Sequence, residues 1–410
     1  RMPRGVVPSF GGVEVNTSST ALSALTDALL YLYSYPFECA EQTSSRILAV
    51  AALRDVLTAF KAKGLPPPRQ ITAALDRDVM KLAGLQNIDG GFPFWRRGHR
   101  SWPFLSVHVT HALVRAKDKG FTLPPKMFRR ALNHLKRIRA YIPSTYPAGV
   151  RRAIIAYSLY VRHRAKDSDV KQARALYAEL AGLKDIPLEA IAWLYPVLSA
   201  SAKAQDETLA IRKILANRVS ETAAAAHFRS SYTDGAYLLL HSTRRIDALL
   251  LEGLIADQPK SDLIAKIVRG LLAHRKQGRW GSTQENAWVL LALDKYFNTY
   301  EKVSPNFVAQ VWLGKGFAGE QRFSGRSAKK HQISIPMSYL ATVTPPGNTA
   351  DFVLRKNGPG RLYYRLGMRY APANLKVPPA SHGFSVRRRY EAVDNDDDLR
   401  RDKDGKWHAK

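Results

Sequence analysis

The chain has 410 residues, a formal net charge of +29, 45% hydrophobic residues and one cysteine. That length supports two or three domains with a large core, and the hydrophobic content is ordinary for a globular protein. One cysteine excludes an internal disulfide, no apolar run reaches bilayer length, and no zinc-finger or RRM core accompanies the basic charge.

Residues 1–17 alternate and carry glycines at Gly5, Gly11 and Gly12, which predicts a strand ending an earlier β domain. The opening Arg1-Met2-Pro3-Arg4 has no signal-peptide character, and Asp402–Lys410 falls inside a predicted hairpin. The chain therefore reads as a piece of a longer protein. Ser18 or Ser19 is the predicted cap of a helix from Thr20 to Leu32, which Pro36 ends. A second helix is predicted from Thr43 to Lys63, with Ile47, Leu48, Val50, Ala51, Leu53, Val56, Leu57 and Phe60 on a wide apolar face.

Between these helices lies Tyr35-Pro36-Phe37-Glu38-Cys39-Ala40-Glu41-Gln42-Thr43-Ser44-Ser45-Arg46. A lone cysteine is ordinarily a small buried apolar residue, and a protease nucleophile would need a local signature absent here. A Cys and a Gln three residues apart on a tight turn have a third possibility. The thiolate attacks the side-chain amide carbon, ammonia leaves, and an internal thioester remains. A nucleophile reaching that bond becomes joined to Gln42, and Cys39 is released as a thiol.

Further helices are predicted at 69–86, 105–119, 126–142, 148–164, 168–183, 187–202, 204–224, 233–241, 244–257, 260–275 and 282–299. Pro66-Pro67-Pro68 and Pro124-Pro125 punctuate the joins. Two connections share glycines and an aromatic before a helix. They are Leu85–Trp95, containing Asp89-Gly90-Gly91-Phe92-Pro93-Phe94, and His274–Trp288, containing Gly278-Arg279-Trp280-Gly281. These turns resemble those of α/α toroids, in which paired helices form concentric rings. Gly90 and Gly278 are thus read as structural.

After Tyr300 the period becomes two. Strands are predicted at Val308–Leu313, Gln332–Ile335, Ala341–Thr344, Phe352–Leu354, Leu362–Tyr370 and Phe384–Tyr390, with turns at Pro346-Gly347-Asn348 and Lys356–Gly360. The predicted order is a strand, a helical domain, then β-sandwich material.

The twelve-residue block resembles the thioester motif of the α2-macroglobulin and complement family, and its Tyr-Pro-aromatic flank is most similar to the bacterial α2-macroglobulins. The resemblance extends to Ser282–Leu291 and to the element order. It implies an α plus β multidomain fold, an α/α toroid inserted in and followed by antiparallel β-sandwich domains of CUB-like and macroglobulin-like type. Residues 1–17 would end the preceding sandwich segment, 18–300 form the toroid, 301–358 return to the sandwich, and 359–410 begin a C-terminal macroglobulin-like domain.

The resemblance also implies a function. The chain would belong to a broad-range protease inhibitor, a single-turnover covalent trap rather than an enzyme. Bait cleavage elsewhere would expose Cys39 and Gln42, and a Lys amine of the target protease would be acylated. Tyr35, Pro36, Phe37, Ala40 and Glu41 complete the motif and its shielding. Tyr35 is read either as a lid over the bond or as a packed core ring, and Glu41 either as a turn holder or as a helix-start carboxylate. Glu38 stands where Gly is common in the family. Complement-type relatives use a downstream His, whereas Ala140–Val161 offers Tyr141, Tyr146, Tyr157 and Tyr160 and no His, which favours amines over hydroxyls. The expected location is periplasmic or extracellular, with membrane anchoring of the full-length protein as one form. Partners would be target proteases, other domains of the same protein and acidic envelope polymers, without specific nucleic acid.

No cofactor or metal is expected. His108 and His111 lack a third ligand, and Asp394–Asp398 lacks the Gly and distal Glu of a calcium loop. The densest basic clusters are Arg96-Arg97-Gly98-His99-Arg100 and Arg387-Arg388-Arg389. Two rival readings remain: an α/α-toroid enzyme such as a terpene cyclase or polysaccharide-active protein, and a thioester-less binding or scaffold member of the same family. The first needs an acidic cluster absent from 18–300.

Overall fold

The computed structural model describes residues 1–20, 25–60, 66–183, 186–230, 235–327, 331–374, 385–387, 389, 391–393 and 395–409, without the side chains of 26, 53–60, 68 and 396. Two compact units result. The larger comprises Val15–Ile333 and Phe352–Leu366, the smaller Arg1–Glu14, Ser334–Asp351 and Gly367–Lys410.

The larger unit is mainly helical. Its helices are α1 (Thr26–Tyr33), α2 (Ala40–Phe60), α3 (Pro68–Leu85), α4 (Pro103–Asp118), α5 (Pro125–Lys136), α6 (Ile138–Tyr141), α7 (Ala148–Arg164), α8 (Val170–Ala181), α9 (Leu188–Ser199), α10 (Gln205–Arg218), α11 (Thr243–Asp257), α12 (Asp262–Ala273) and α13 (Thr283–Tyr300). Two classes are distinguishable. Helix α4 is buried without interruption from Pro103 to Ala116, and α9 and α13 are nearly so. Helix α5 buries only Met127, Ala131, His134 and Leu135, and α8 only Ala173, Leu176, Tyr177 and Leu180. A helix apolar all round belongs inside, whereas one apolar stripe belongs outside with its polar face in water. Packing follows that division. Helices α2, α4, α7, α9, α11 and α13 each pack on the next, and α13 packs back on α2, while α1, α3, α5, α8, α10 and α12 lie against this closed series.

Side chains from the inner helices meet in an aromatic core. Tyr157 of α7 stacks on Trp193 of α9 at 4.5 Å, and His111 of α4 lies 4.9 Å from Trp288 of α13. Two polar links cross the same core. Arg115 donates to Glu252 at 2.6 Å, and Arg245 donates to Glu189 and, at 2.9 Å, to Gln284. Burial alone would raise the Glu252 carboxyl, but the Arg115 and Arg164 charges hold it below its ordinary value.

Several local expectations are corrected. Ser18 ends strand β1 (Gly12–Ser18), and its hydroxyl donates to Thr20 O at 2.8 Å rather than capping a helix. Residues 21–24, the predicted start of that helix, lie outside the described residues. Of the apolar face assigned to α2, Ile47, Leu48, Val50 and Ala51 are buried, and Leu53, Val56, Leu57 and Phe60 fall outside the described side chains. The helix expected over 126–142 is interrupted at Arg137, between α5 and α6. The helix expected over 204–224 stops at Arg218. Val219–Glu221 (β2) pairs antiparallel with Ala226–Phe228 (β3), because Thr222 closes a turn by accepting from the Ala224 and Ala225 amides. Of the helix expected at 233–241, residues 233 and 234 lie outside the described residues, and Ala236–Leu239 is a 3-10 turn ended by Leu240 at φ 46°.

Strands β4 (Asn306–Leu313), β5 (Gly316–Ser324) and β7 (Phe352–Asn357) form an antiparallel sheet in the order β5-β4-β7. Phe307, Ala309, Val311 and Leu313 alternate onto its buried face. Strand β1 lies between β6 (His331–Pro336) and β8 (Tyr363–Arg369). In the smaller unit β9 (Leu399–Arg401) pairs antiparallel with β10 (Trp407–Ala409). The predicted strand Ala341–Thr344 is instead the end of helix α14 (Met337–Val343). Met337 and Leu340, three apart, are its buried residues, a helical spacing that outweighs a short alternation, and Pro345 and Pro346 follow it. The strand predicted at Phe384–Tyr390 lies partly outside the described residues, and Ser385–Arg387 is not in a strand. Asp394 is likewise outside them, while Asp396–Asp398 forms a 3-10 turn.

Gly90 and Gly278 occupy left-handed conformations at φ 86° and 81°. A Cβ at Gly90 would fall 2.4 Å from Arg130 O, and one at Gly278 would fall 2.5 Å from Asp27 Oδ2. Gly90→Ala is expected to destabilise the protein by at least about 2 kcal/mol through strain and backbone collision. The check is a lowered urea midpoint with an unchanged slope.

His108 is fully buried, with Nε2 2.9 Å from Gln284 Nε2 and 3.1 Å from Ser45 Oγ, and Nδ1 3.2 Å from the Tyr157 hydroxyl. Burial, and then the Arg245 charge, lower its pKa from 6.5 to about 3, and burial lowers His111 in the same direction. Both rings are neutral in the fold and take up protons once unfolded. The contribution of His108 is thus complete above pH 6.5 and is lost as pH falls towards about 3, and that of His111 is lost in the same direction. Stability should fall by about 1.4 kcal/mol per pH unit for each such ring. Urea midpoints across that window test this, and His108→Gln should flatten the slope by one proton.

Candidate functional site

The site is built on the first turn of α2. Cys39 O accepts from Thr43 N at 2.9 Å, so Cys39 is the N-cap residue and Gln42 stands at the third helical position. The Gln42 side-chain Oε1 turns back and accepts from Cys39 N at 3.0 Å. The backbone N–H groups of Gln42 and Glu41 lie near enough to the thiol to favour its ionised form. Gln42 reaching back to the N-cap amide is one half of a capping box, with Gln in its usual place and Cys in the place of Ser or Thr. It brings a thiol and a carboxamide together with no loop to close. Burial raises the Cys39 thiol above its ordinary value, and the two N–H groups pull the other way. Cys39 is only 5% exposed, and Gln42 is half-buried.

Both repeated glycine-aromatic connections converge on this turn. From the first, Phe94 O accepts from Ala40 N at 2.9 Å. The second brings the start of α13 to Glu41. The Glu41 carboxylate accepts from Thr283 at 2.9 Å, from Gln284 at 2.8 Å and from Ser45 at 2.7 Å, with His108 Nε2 4.0 Å away. Ser45 spends its proton on Glu41, so the neutral His108 ring accepts from Gln284 at Nε2 and carries its proton on Nδ1, a tautomer set by the network. Glu41 therefore does more than begin a helix: it links the first turns of α2 and α13. Thr283 and Gln284 were visible in the sequence only as parts of a repeated turn.

The flanking residues divide. Tyr35 is half-buried and edge-on to Tyr31 at 5.3 Å and to Phe37 at 5.8 Å. Phe37 is 61% exposed, and Pro36 is exposed. Glu38 pairs with Lys81 at 2.6 Å and Arg46 at 3.3 Å, and its backbone is not left-handed, so glycine is not required there. Arg46 also forms a buried bidentate pair with Asp78, at 2.6 and 2.7 Å. The tyrosines of 140–161 are not gathered at the site. Tyr157 and Tyr160 lie in the aromatic core, and Tyr141 stacks on His134 at 4.0 Å. His108, from α4, is the histidine that the fold brings to the α2 turn. Among the described residues no group of three or more His, Cys, Asp and Glu side chains is arranged to hold a metal.

No protein-family model matches the chain. A Dictyostelium discoideum protein named circularly permutated Ras protein 2 is 24% identical over 472 residues, covering 97% of this chain and 12% of that protein. An alpha-2-macroglobulin homolog of Nostoc sp. is 27% identical over 379 residues, covering 90% of this chain and 19% of that protein. The chain thus spans less than a fifth of the length of either relative. Among solved structures, Salmonella alpha-2-macroglobulin reacted with methylamine superposes with TM-score 0.59 at 20% identity, over 92% of this chain and 23% of that one. Trypsin-activated Escherichia coli alpha-2-macroglobulin superposes with TM-score 0.63 at 16% identity, over 92% and 24%. The mixed helical and antiparallel-sheet fold matches these structures. In sequence and in fold, the chain is a relative of the bacterial alpha-2-macroglobulins.

Proposed function

We propose that this chain is the reactive portion of a protease-trapping protein and that Cys39 and Gln42 form an internal thioester. The observation that carries the reading is the capping-box contact between Gln42 Oε1 and Cys39 N, with the thiol held over the same turn. Condensation joins Sγ to the Gln42 amide carbon and releases ammonia. An amine attacking that carbon forms an amide with residue 42, and sulfur departs as a thiolate near the N–H groups of Glu41 and Gln42, which stabilise it. Each molecule reacts once, so the chain is a covalent trap and not a turnover enzyme.

Supporting the reading are the relationship to bacterial alpha-2-macroglobulins and two forms among its structural neighbours, one reacted with methylamine and one activated by trypsin. In this reading target proteases are the partners, captured through a lysine amine after cleavage of a bait elsewhere in the full-length protein. Helices α1–α13 constitute the α/α toroid of residues 18–300, an inference supported by the closed packing order of the inner helices. Residues 1–17 and 301–358 belong to the interrupted sandwich, and 359–410 begin the following macroglobulin-like domain. We place the full-length protein in the periplasm or outside the cell, with anchoring to the membrane as one form.

Intact mass under denaturing conditions, before and after methylamine, tests the reading. The expected result is a mass short by one ammonia, no thiol labelling beforehand, and one methylamine adduct with one new thiol afterwards. Cys39→Ser and Gln42→Asn should abolish the adduct. An unreacted Gln42 beside a labelled Cys39 from the outset would sink the mechanism. Tyr35→Gly should speed methylamine incorporation with little change in urea midpoint; lost stability without acceleration would assign Tyr35 to core packing instead.

A further inference from the structure

We infer that the rim of the Cys39 site is a docking face for an acidic protein surface that presents the nucleophile, an inference that takes the acylating role of Gln42 as its starting point. The loop Trp95–Arg100 is exposed throughout, and Arg96, Arg97 and Arg100 form no ion pair among the described residues. It is nonetheless fixed. Asn87 Oδ1 accepts from Gly98 N at 2.8 Å, and Asn87 Nδ2 donates to His99 O at 2.7 Å and Ser101 Oγ at 2.9 Å. These bonds hold the three guanidinium groups on an ordered backbone, which lowers the entropy lost on binding.

The loop is joined directly to the reactive turn. Phe94 O accepts from Ala40 N, the residue next to Cys39. Arg96 follows two residues later, so its Cα lies within about 7 Å of that of Phe94 by chain length alone. Two large aromatics flank the same turn, Phe37 at 61% and Trp95 at 63% exposure. Trp and Arg together are the residues that dominate protein–protein contacts. Charge complementarity selects an acidic partner surface, and the net charge of +29 adds a wider field that speeds its approach. A cationic amine without an acidic surround gains nothing from this rim, so the site favours a lysine set among carboxylates over a free amine.

The test separates docking from acylation. The probes are a fluorescein-labelled peptide of alternating Glu and Tyr without lysine, and a sulfated oligosaccharide of equal charge, each followed by anisotropy at low and high salt. Charge reversal by Arg96→Glu, Arg97→Glu and Arg100→Glu should weaken the peptide roughly tenfold at low salt and much less at high salt. Trp95→Ala should weaken the peptide several-fold and leave the oligosaccharide unchanged. Peptide binding indifferent to the three arginines would overturn the inference. So would equal losses for both probes with no effect of Trp95→Ala, which would mark generic attraction of polyanions. A lysine-containing version of the peptide, compared with methylamine by intact mass, should form its adduct faster in the wild type than in the triple variant. A methylamine adduct with no arginine dependence of the peptide would remove the docking face alone. Docking of the lysine-free peptide with no adduct from either amine would remove the acylation reading and leave the docking face standing.

Discussion

The buried carboxylate of Glu41 is the interaction on which the arrangement of the larger unit turns. It sits in the first turn of α2, where the helix dipole favours negative charge, and it collects donors from Ser45, Thr283 and Gln284. A charged acceptor with several donors contributes roughly 1.5–3 kcal/mol per bond, and a bare one would be costly to bury. The contacts therefore come as a set. They fix α13 against α2, the junction at which the series of inner helices closes. They also place Gln284 on His108, whose neutral ring passes the constraint to Tyr157 in the aromatic core.

The same turn has a second function in the proposed chemistry. A capping box ordinarily satisfies the orphan donors of a helix start. With Cys39 as its cap residue, it sets a sulfur and a carboxamide against one another in a buried place. In that proposal stability and reactivity depend on one local geometry. The turn is walled by Phe94, held to Ala40 on one side, and by the exposed Glu38, paired to Lys81 and Arg46, on the other. The buried Arg46–Asp78 pair stiffens this wall, since removing either partner would strand a charge in the core.

Much of this was legible in the residues. The helices were readable because proline joins and broad apolar faces are local signals, and Gly90 and Gly278 were readable because only glycine accepts their backbone angles without strain. Failures fell where a local pattern was short. Ala341–Thr344 alternates like a strand, yet Met337 and Leu340 anchor a helix through it. Val219 ends a helix that composition alone would continue, because a partner strand at Ala226–Phe228 is available only in the fold.

Spacing pairs Cys39 with Gln42 on a tight turn ahead of a helix at Thr43; in the fold that turn is the first turn of α2, which begins at Ala40. What the sequence by itself determined was this pair, the helical periodicity around it and the change of period after Tyr300. What only the tertiary structure decided was the company the pair keeps. Glu41 meets Thr283 and Gln284 across 242 and 243 residues of chain, and His108 reaches Ser45 across 63. Periodicity specifies which face of each helix is buried, but not which other helix covers it; that follows from the packing of all the inner helices at once.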